Sequence, residues 1–441
     1  MSILSELGAF AAGASIGSHG ARARELQRRH FLDALTAMIV GRTVEDATAL
    51  TDVLSEHPLG RRVAEARMSE VDDIHCASCV TPSSVVVPAA LTAIEREPDA
   101  DPARLADALW VGTELMTRLG VAIDGARILY RGIWPTRFCA PFGVAAALGR
   151  LFGLDAERMT SALAISLCLA SGAVGRRDRA RSPRWLLIAL AAEQGAQAAR
   201  AARAGFGGDA GLLDGPDWLA NTHGIALDAP RLTDGLGDAC IYEELSLKPF
   251  CSAKQAIAAT DAVRDLLAEG LDPSTAESIE VRVPPPYAPM IARQAVAGDR
   301  TSTLVNAAYQ IALAALRPEA LYDVGRADMP FDKGIVSLAG RVAVRGDDSA
   351  GLMAHFPTRF PATVVIRAAG RTYERRVVEA TGDPGRPLDD EALKAKIERI
   401  LANAGRRGIA EDLIELTGSA LADAVAARTL AATLAELSGH N

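Results

Sequence analysis

The chain has 441 residues, of which 49% are apolar, 23% charged and only 5% aromatic. That length exceeds what one hydrophobic core usually fills, so two domains are expected, with a composition ordinary for a globular protein. A net charge of −8 argues against an extended nucleic-acid surface, and the longest uncharged apolar stretch, Thr160–Val174, falls short of the ~20 residues of a bilayer span.

With few aromatics, Ala, Val, Leu and Ile must fill the core, which favours closely packed helices. Ala9–Ile16 is mildly apolar, but no basic residue precedes it and Gly13 interrupts it, so it does not read as a secretory signal. Six scattered cysteines form no disulfide framework, and reduced thiols in a cytoplasmic protein are expected.

Apolar residues at three- and four-residue steps predict helices over Arg22–Val40, Leu59–Ala66, Val86–Glu95, Pro102–Leu119, Pro141–Leu151, Asp155–Ala173 and Pro183–Ala204. Asp155 and Ser182-Pro183 read as helix starts, and Gly205 as a stop. Beyond Leu271 the pattern changes. Glu277–Val283 alternates like a half-buried strand, and Arg341–Arg345 has strand composition. Thr363–Arg367 and Thr372–Val378 flank Ala368-Ala369-Gly370-Arg371, a predicted hairpin. Helices return over 388–403, Ile409–Leu416 and Leu421–Leu437. The expected fold class is mainly α: a large all-α helical domain (1–264), an inserted smaller α+β domain (265–390), and C-terminal helices (391–441) rejoining the first.

Four clusters concentrate reactive side chains. In the first, Asp72, Asp73 and His75 stand beside Cys76 and Cys79. Neighbouring carboxylates and an imidazole suit acid–base chemistry, and the competing structural reading is a helix N-cap with a solvent-facing histidine. The Cys-x-x-Cys lacks a second ligand pair, so no metal is expected. The second, Tyr130–Gly143, reads as a loop before a helix. There Arg131 and Arg137 could clamp a carboxylate, or Trp134 could simply anchor packing. The third is the basic run Arg176–Arg184, a solvated loop except for Arg184, which opens an apolar helix. The fourth carries Lys248, Cys251 and Lys254 just before a helix, an end where lysine is normally disfavoured.

Dinucleotide, Walker and zincin motifs are missing, and Gly13-Ala14-Ser15-Ile16-Gly17 lacks the preceding strand a nucleophile elbow needs.

Taken in order, the clusters resemble the MmgE/PrpD family of 2-methylcitrate dehydratases, cis-aconitate decarboxylases and iminodisuccinate epimerases. The resemblance rests on Asp72-Asp73 with Thr81-Pro82-Ser83-Ser84, on Arg131-Gly132-Ile133-Trp134-Pro135-Thr136 with Cys139-Ala140-Pro141-Phe142-Gly143, and on Leu151-Phe152-Gly153, Ala204-Gly205-Phe206 and Lys248-Pro249-Phe250. It implies a cofactor-independent enzyme, usually a homodimer, that removes a proton next to a carboxylate. Thr81 and Trp134 stand where the family pattern has histidines, Arg184 where it has a lysine, and the histidine following Lys248 is missing.

The resulting expectation is a dehydratase-type lyase acting on a small carboxylate, with an epimerase and a non-catalytic carboxylate binder as alternatives. His75, oriented by Asp72 or Asp73, with Lys248 and Lys254, would handle protons. Arg131, Thr136, Arg137, Arg184, Thr81 and Trp134 would hold the substrate.

Overall fold

The computed structural model describes residues 1–174, 183–215, 217–296, 299–326 and 331–439, with side chains through 434. The arginine run from Arg176 to Arg181, and Ser182 as a helix cap, lie outside the described residues. Two compact units emerge: Met1–Met68, Asp72–Leu245 and Gly408–Asn441 form the first, and Ser69–Val71 with Ser246–Arg407 the second.

In the first unit, helices Leu105–Ala122, Pro135–Leu151 and Arg184–Arg203 pack in series, and Ser83–Arg96 and Pro58–Met68 complete the centre. Glycines let the backbones approach. A Cβ on Gly143 would lie 2.6 Å from Met116 Cβ, and one on Gly112 would lie 2.8 Å from Ala147 Cβ. Met116 cannot swing its Cβ away, so Gly143→Ala is expected to cost about 1–3 kcal/mol by overpacking, read as a lowered thermal midpoint. The C-terminal helices rejoin this unit: Ala410–Ala420 packs on Gly20–Gly41, and Ala424–Gly439 on Ser83–Arg96.

The second unit is built on a four-stranded sheet in the order Val342–Gly346, Ala276–Val283, Ala362–Ala368, Arg371–Val377. The first pair is parallel and the others antiparallel. Ile279, Val281 and Val283 are buried, as are Val364 and Ile366 on the neighbouring strand. Ala369 (φ 49°) and Gly370 (φ 72°) turn the predicted hairpin in the left-handed region.

The units divide at Leu245/Ser246 and Arg407/Gly408, whereas the sequence reading divides at 264/265 and 390/391. Helix Lys254–Ala268 packs on the last two strands, and helix Asp390–Asn403 on the turn Pro318–Tyr322, so both lie in the second unit. Their amphipathic pattern says that one face is buried, not which core buries it.

Asp155 caps its helix through the Arg158 amide, at 2.9 Å, and Gly205 (φ 93°) ends the helix at Arg203 as expected. Helices Ile3–Gly13 and Glu45–Val53 were not predicted. Tyr130–Gly143 is largely not a loop. Its helix starts at Pro135, whose missing N–H costs nothing at a first-turn position. Ser15 of the Gly-x-Ser-x-Gly match is exposed, caps the turn Ile16–His19 and donates to Asp107 at 2.9 Å.

Candidate functional site

Asp72 and Asp73 are both fully buried and converge on the start of helix Ser83–Arg96. The first-turn N–H groups of a helix have no partner within it, and its dipole favours negative charge there. Asp73 accepts from the Ser83 amide at 3.2 Å and from the Ser83 hydroxyl, while Asp72 accepts from the Ser84 hydroxyl at 2.7 Å. Asp72 is also ion-paired with Arg67, and Asp73 Oδ2 lies 2.9 Å from His30 Nδ1.

The carboxylate beside an imidazole in this segment is therefore Asp73 with His30, a residue not singled out from the sequence because it lies 43 positions upstream. Asp73→Ala is expected to lower stability by at least about 2 kcal/mol, since each buried donor left unmatched costs roughly 1–3 kcal/mol. Urea unfolding would measure it.

His75 is not oriented by Asp72 or Asp73. Its Nδ1 accepts from the Ser78 amide at 3.2 Å and lies 2.9 Å from the Ser78 hydroxyl. The accepted amide leaves the ring proton on Nε2, which donates to Glu244 Oε2 at 3.1 Å. That hydrogen bond holds the Glu244 carboxyl below the usual range. The tight turn pins Nδ1 of His75, and Glu244 pins Nε2. Cys79, at φ 55°, is buried in the same turn, and Cys76 is half-buried.

Two predicted substrate-binding residues from separate motifs do meet. Thr81 and Thr136 are buried with their hydroxyl oxygens 3.3 Å apart. Trp134, 7% exposed, lies under two guanidiniums: Arg67 at 5.8 Å and Arg184 at 5.5 Å from the ring centre. Arg184 also sits 5.0 Å from the Trp185 ring, which meets Trp134 edge-on. A guanidinium set in an aromatic corner keeps its fork oriented for a carboxylate.

Arg131 is exposed and donates to the Gly224 carbonyl at 2.9 Å. Arg137 lies in the first turn of helix Pro135–Leu151 and donates to the Ala173 carbonyl. Its Nε is buried and takes no partner among the described residues, and burial lowers the pKa of the group.

In the second unit, the short segment Ser69–Val71 is gripped by side chains and backbone. Cys251 Sγ donates to the Ser69 carbonyl at 3.0 Å, Lys396 Nζ to the Val71 carbonyl at 2.9 Å, and the Ser252 amide to the Glu70 carbonyl at 3.3 Å. Glu70 is held at φ 55°, a left-handed conformation a residue with a side chain adopts at a cost. Lys248, 2% exposed, places Nζ 3.2 Å from Glu70 Oε2. Glu70 was missed from the sequence, although it stands two positions before the Asp-Asp pair.

Lys254 is equally buried but is ion-paired with Asp383, which also accepts from the Ser246 hydroxyl at 2.7 Å and the Ala380 amide at 2.8 Å. This partner accounts for a lysine at a helix start.

The class defined so far is a mainly helical protein of two units carrying buried carboxylate–cation and carboxylate–imidazole pairs. The model of the MmgE/PrpD N-terminal domain matches residues 62–225, and that of the C-terminal domain matches residues 250–417. The chain belongs to the MmgE/PrpD family, whose members are generally dehydratase-like enzymes. No curated protein gives a significant match. Among the described residues, no helix is long and apolar enough to cross a membrane.

Proposed function

We propose that the protein is a cofactor-independent, dehydratase-type lyase acting on a small carboxylate or polycarboxylate, working as a homodimer. The reading is carried by the Glu70–Lys248 pair: a buried ammonium held 3.2 Å from a carboxylate on a strained residue. Strain of this kind is a cost the fold keeps where a side chain must be aimed.

The reaction needs no oxidant or reductant. A base takes the proton α to the substrate carboxylate, the C–H electrons form the C=C bond, the C–O bond breaks, and the hydroxyl leaves as water once protonated. The Lys248 ammonium supplies that last proton, and Glu70 fixes its direction. Within the first unit, Arg184 in its tryptophan corner and Arg137 at the helix start are cations of the kind that hold a carboxylate. Thr81 and Thr136 offer hydroxyls in place of the histidine that the family pattern has at the first of them.

The test is proton exchange. The full chain is incubated in deuterated water with malate, citrate and aspartate, and deuterium at the α-carbon and loss of water are followed by NMR. Exchange with dehydration supports the lyase. Exchange with inversion and no water loss replaces it with an epimerase. Binding with neither leaves a carboxylate-binding protein.

A further inference from the structure

Cys76 and Cys79 stand outside the chemistry above. Both are thiols in the structure, Cys79 buried and Cys76 half-buried. They are the two ends of a four-residue turn. His75 and Val80 pair as an antiparallel bridge, the His75 amide donating to the Val80 carbonyl at 2.8 Å. Inside that bridge the Cys79 amide donates to the Cys76 carbonyl at 3.3 Å. A turn closed in this way keeps its first and last Cα atoms less than about 7 Å apart, and a disulfide needs about 4.4–6.8 Å. The backbone therefore already holds the two cysteines at bonding range. Cys79 sits there at φ 55°, in the left-handed region that glycine or asparagine fills at lower cost. Such a conformation is kept where a side chain must be placed.

The turn has a rigid anchor and a yielding one. The rigid anchor is glycine-lined. A Cβ on Gly120 would lie 2.6 Å from Val80 Cγ2 and 2.7 Å from Ser78 Cβ, and one on Gly125 would collide with the Ser78 carbonyl. The yielding anchor is the His75 ring, whose Nδ1 takes the Ser78 amide and whose Nε2 reaches Glu244. Glu244 is exposed, so its end of that bond gives way more readily than the packed glycines do.

We propose that Cys76 and Cys79 form a redox-sensitive switch: a small disulfide of the glutathione type oxidises them to an intramolecular disulfide, and closing that bond frees His75 from Glu244. The switch does not depend on the lyase reading. The Cys76 thiolate, the more accessible of the two, attacks one sulfur of the small disulfide. A mixed S–S bond forms, the small S–S bond breaks, and one small thiolate leaves. The Cys79 thiolate then attacks Cys76 Sγ, the mixed bond breaks, and the second small thiolate leaves. The leaving thiolates take up the protons that the two cysteines lost. The protein gives up two electrons, and the small disulfide gains them. Drawing the two sulfurs together twists the turn around Ser78, whose amide holds His75 Nδ1, and the exposed Glu244 end of the ring lets go.

The full chain is incubated with oxidised glutathione, or with reduced glutathione as the control, then alkylated and digested with trypsin. Cleavage after Arg67 and Arg96 gives peptide Met68–Arg96, which carries Cys76 and Cys79 and no other cysteine. The expected product is this peptide lighter by two hydrogens, unalkylated and without glutathione, and dithiothreitol restores both thiols. Cys79→Ser should instead retain glutathione on Cys76. The His75 imidazole signal, assigned by its loss in His75→Gln, should move on oxidation to its position in reduced Glu244→Ala.

Two alkylated thiols after oxidised glutathione, or glutathione retained on Cys76 of the wild type, overturn the pair. A closed disulfide with an unmoved His75 signal overturns the switch. Each result is read without substrate and leaves the lyase reading in place.

Discussion

Lys248→Met is expected to reduce deuterium exchange and water loss by ~10²–10⁴, the range typical for removing one proton-transfer group. Because Lys248 is buried against Glu70, the same change leaves a carboxylate without its ammonium and lowers stability as well. The two effects separate through the partner. Glu70→Gln added to Lys248→Met removes the carboxylate charge that the ammonium faced, so the thermal midpoint should recover in part while activity stays lost. If activity per folded molecule stays within about threefold of wild type in Lys248→Met, a span far smaller than the loss of a proton-transfer group, the acid role of Lys248 is wrong.

Lys254→Met is expected to act in the opposite sense, on stability first. Breaking a buried ion pair by removing one partner costs about 3–5 kcal/mol, and among the described residues Asp383 would keep the Ser246 hydroxyl and the Ala380 amide. Asp383→Asn retains an acceptor without the charge, so Lys254→Met combined with Asp383→Asn should regain part of the loss. Urea unfolding measures both, and exchange per folded molecule should be unchanged. An unaltered unfolding midpoint together with lost exchange would return Lys254 to the chemistry and end its role as a clamp.

These two lysines show how much of the site was legible. Both lie in one short polar stretch before a helix, and composition does not distinguish them. The structure does so by their partners, Glu70 in one case and Asp383 in the other, which are 178 and 129 residues away along the chain. The Asp72-Asp73 pair was open to either an acid–base or a capping reading. Its side chains converge on the Ser83 and Ser84 positions of the next helix, and the imidazole reached is His30 rather than the adjacent His75. Thr81 and Thr136, by contrast, came from different motifs and do meet.

By itself, the sequence determined the helical class, the strands and hairpin of the second unit, the bounds of most of the helices it predicted to within a few residues, and the family to which the chain belongs. All of these depend on local periodicity, turn chemistry or ordered motifs, which are written in consecutive residues. Only the tertiary structure decided which core takes helices Lys254–Ala268 and Asp390–Asn403, and which charge faces which. Those outcomes depend on which buried groups find partners far along the chain. The cost of an unpaired buried charge or donor, not local propensity, settles that choice.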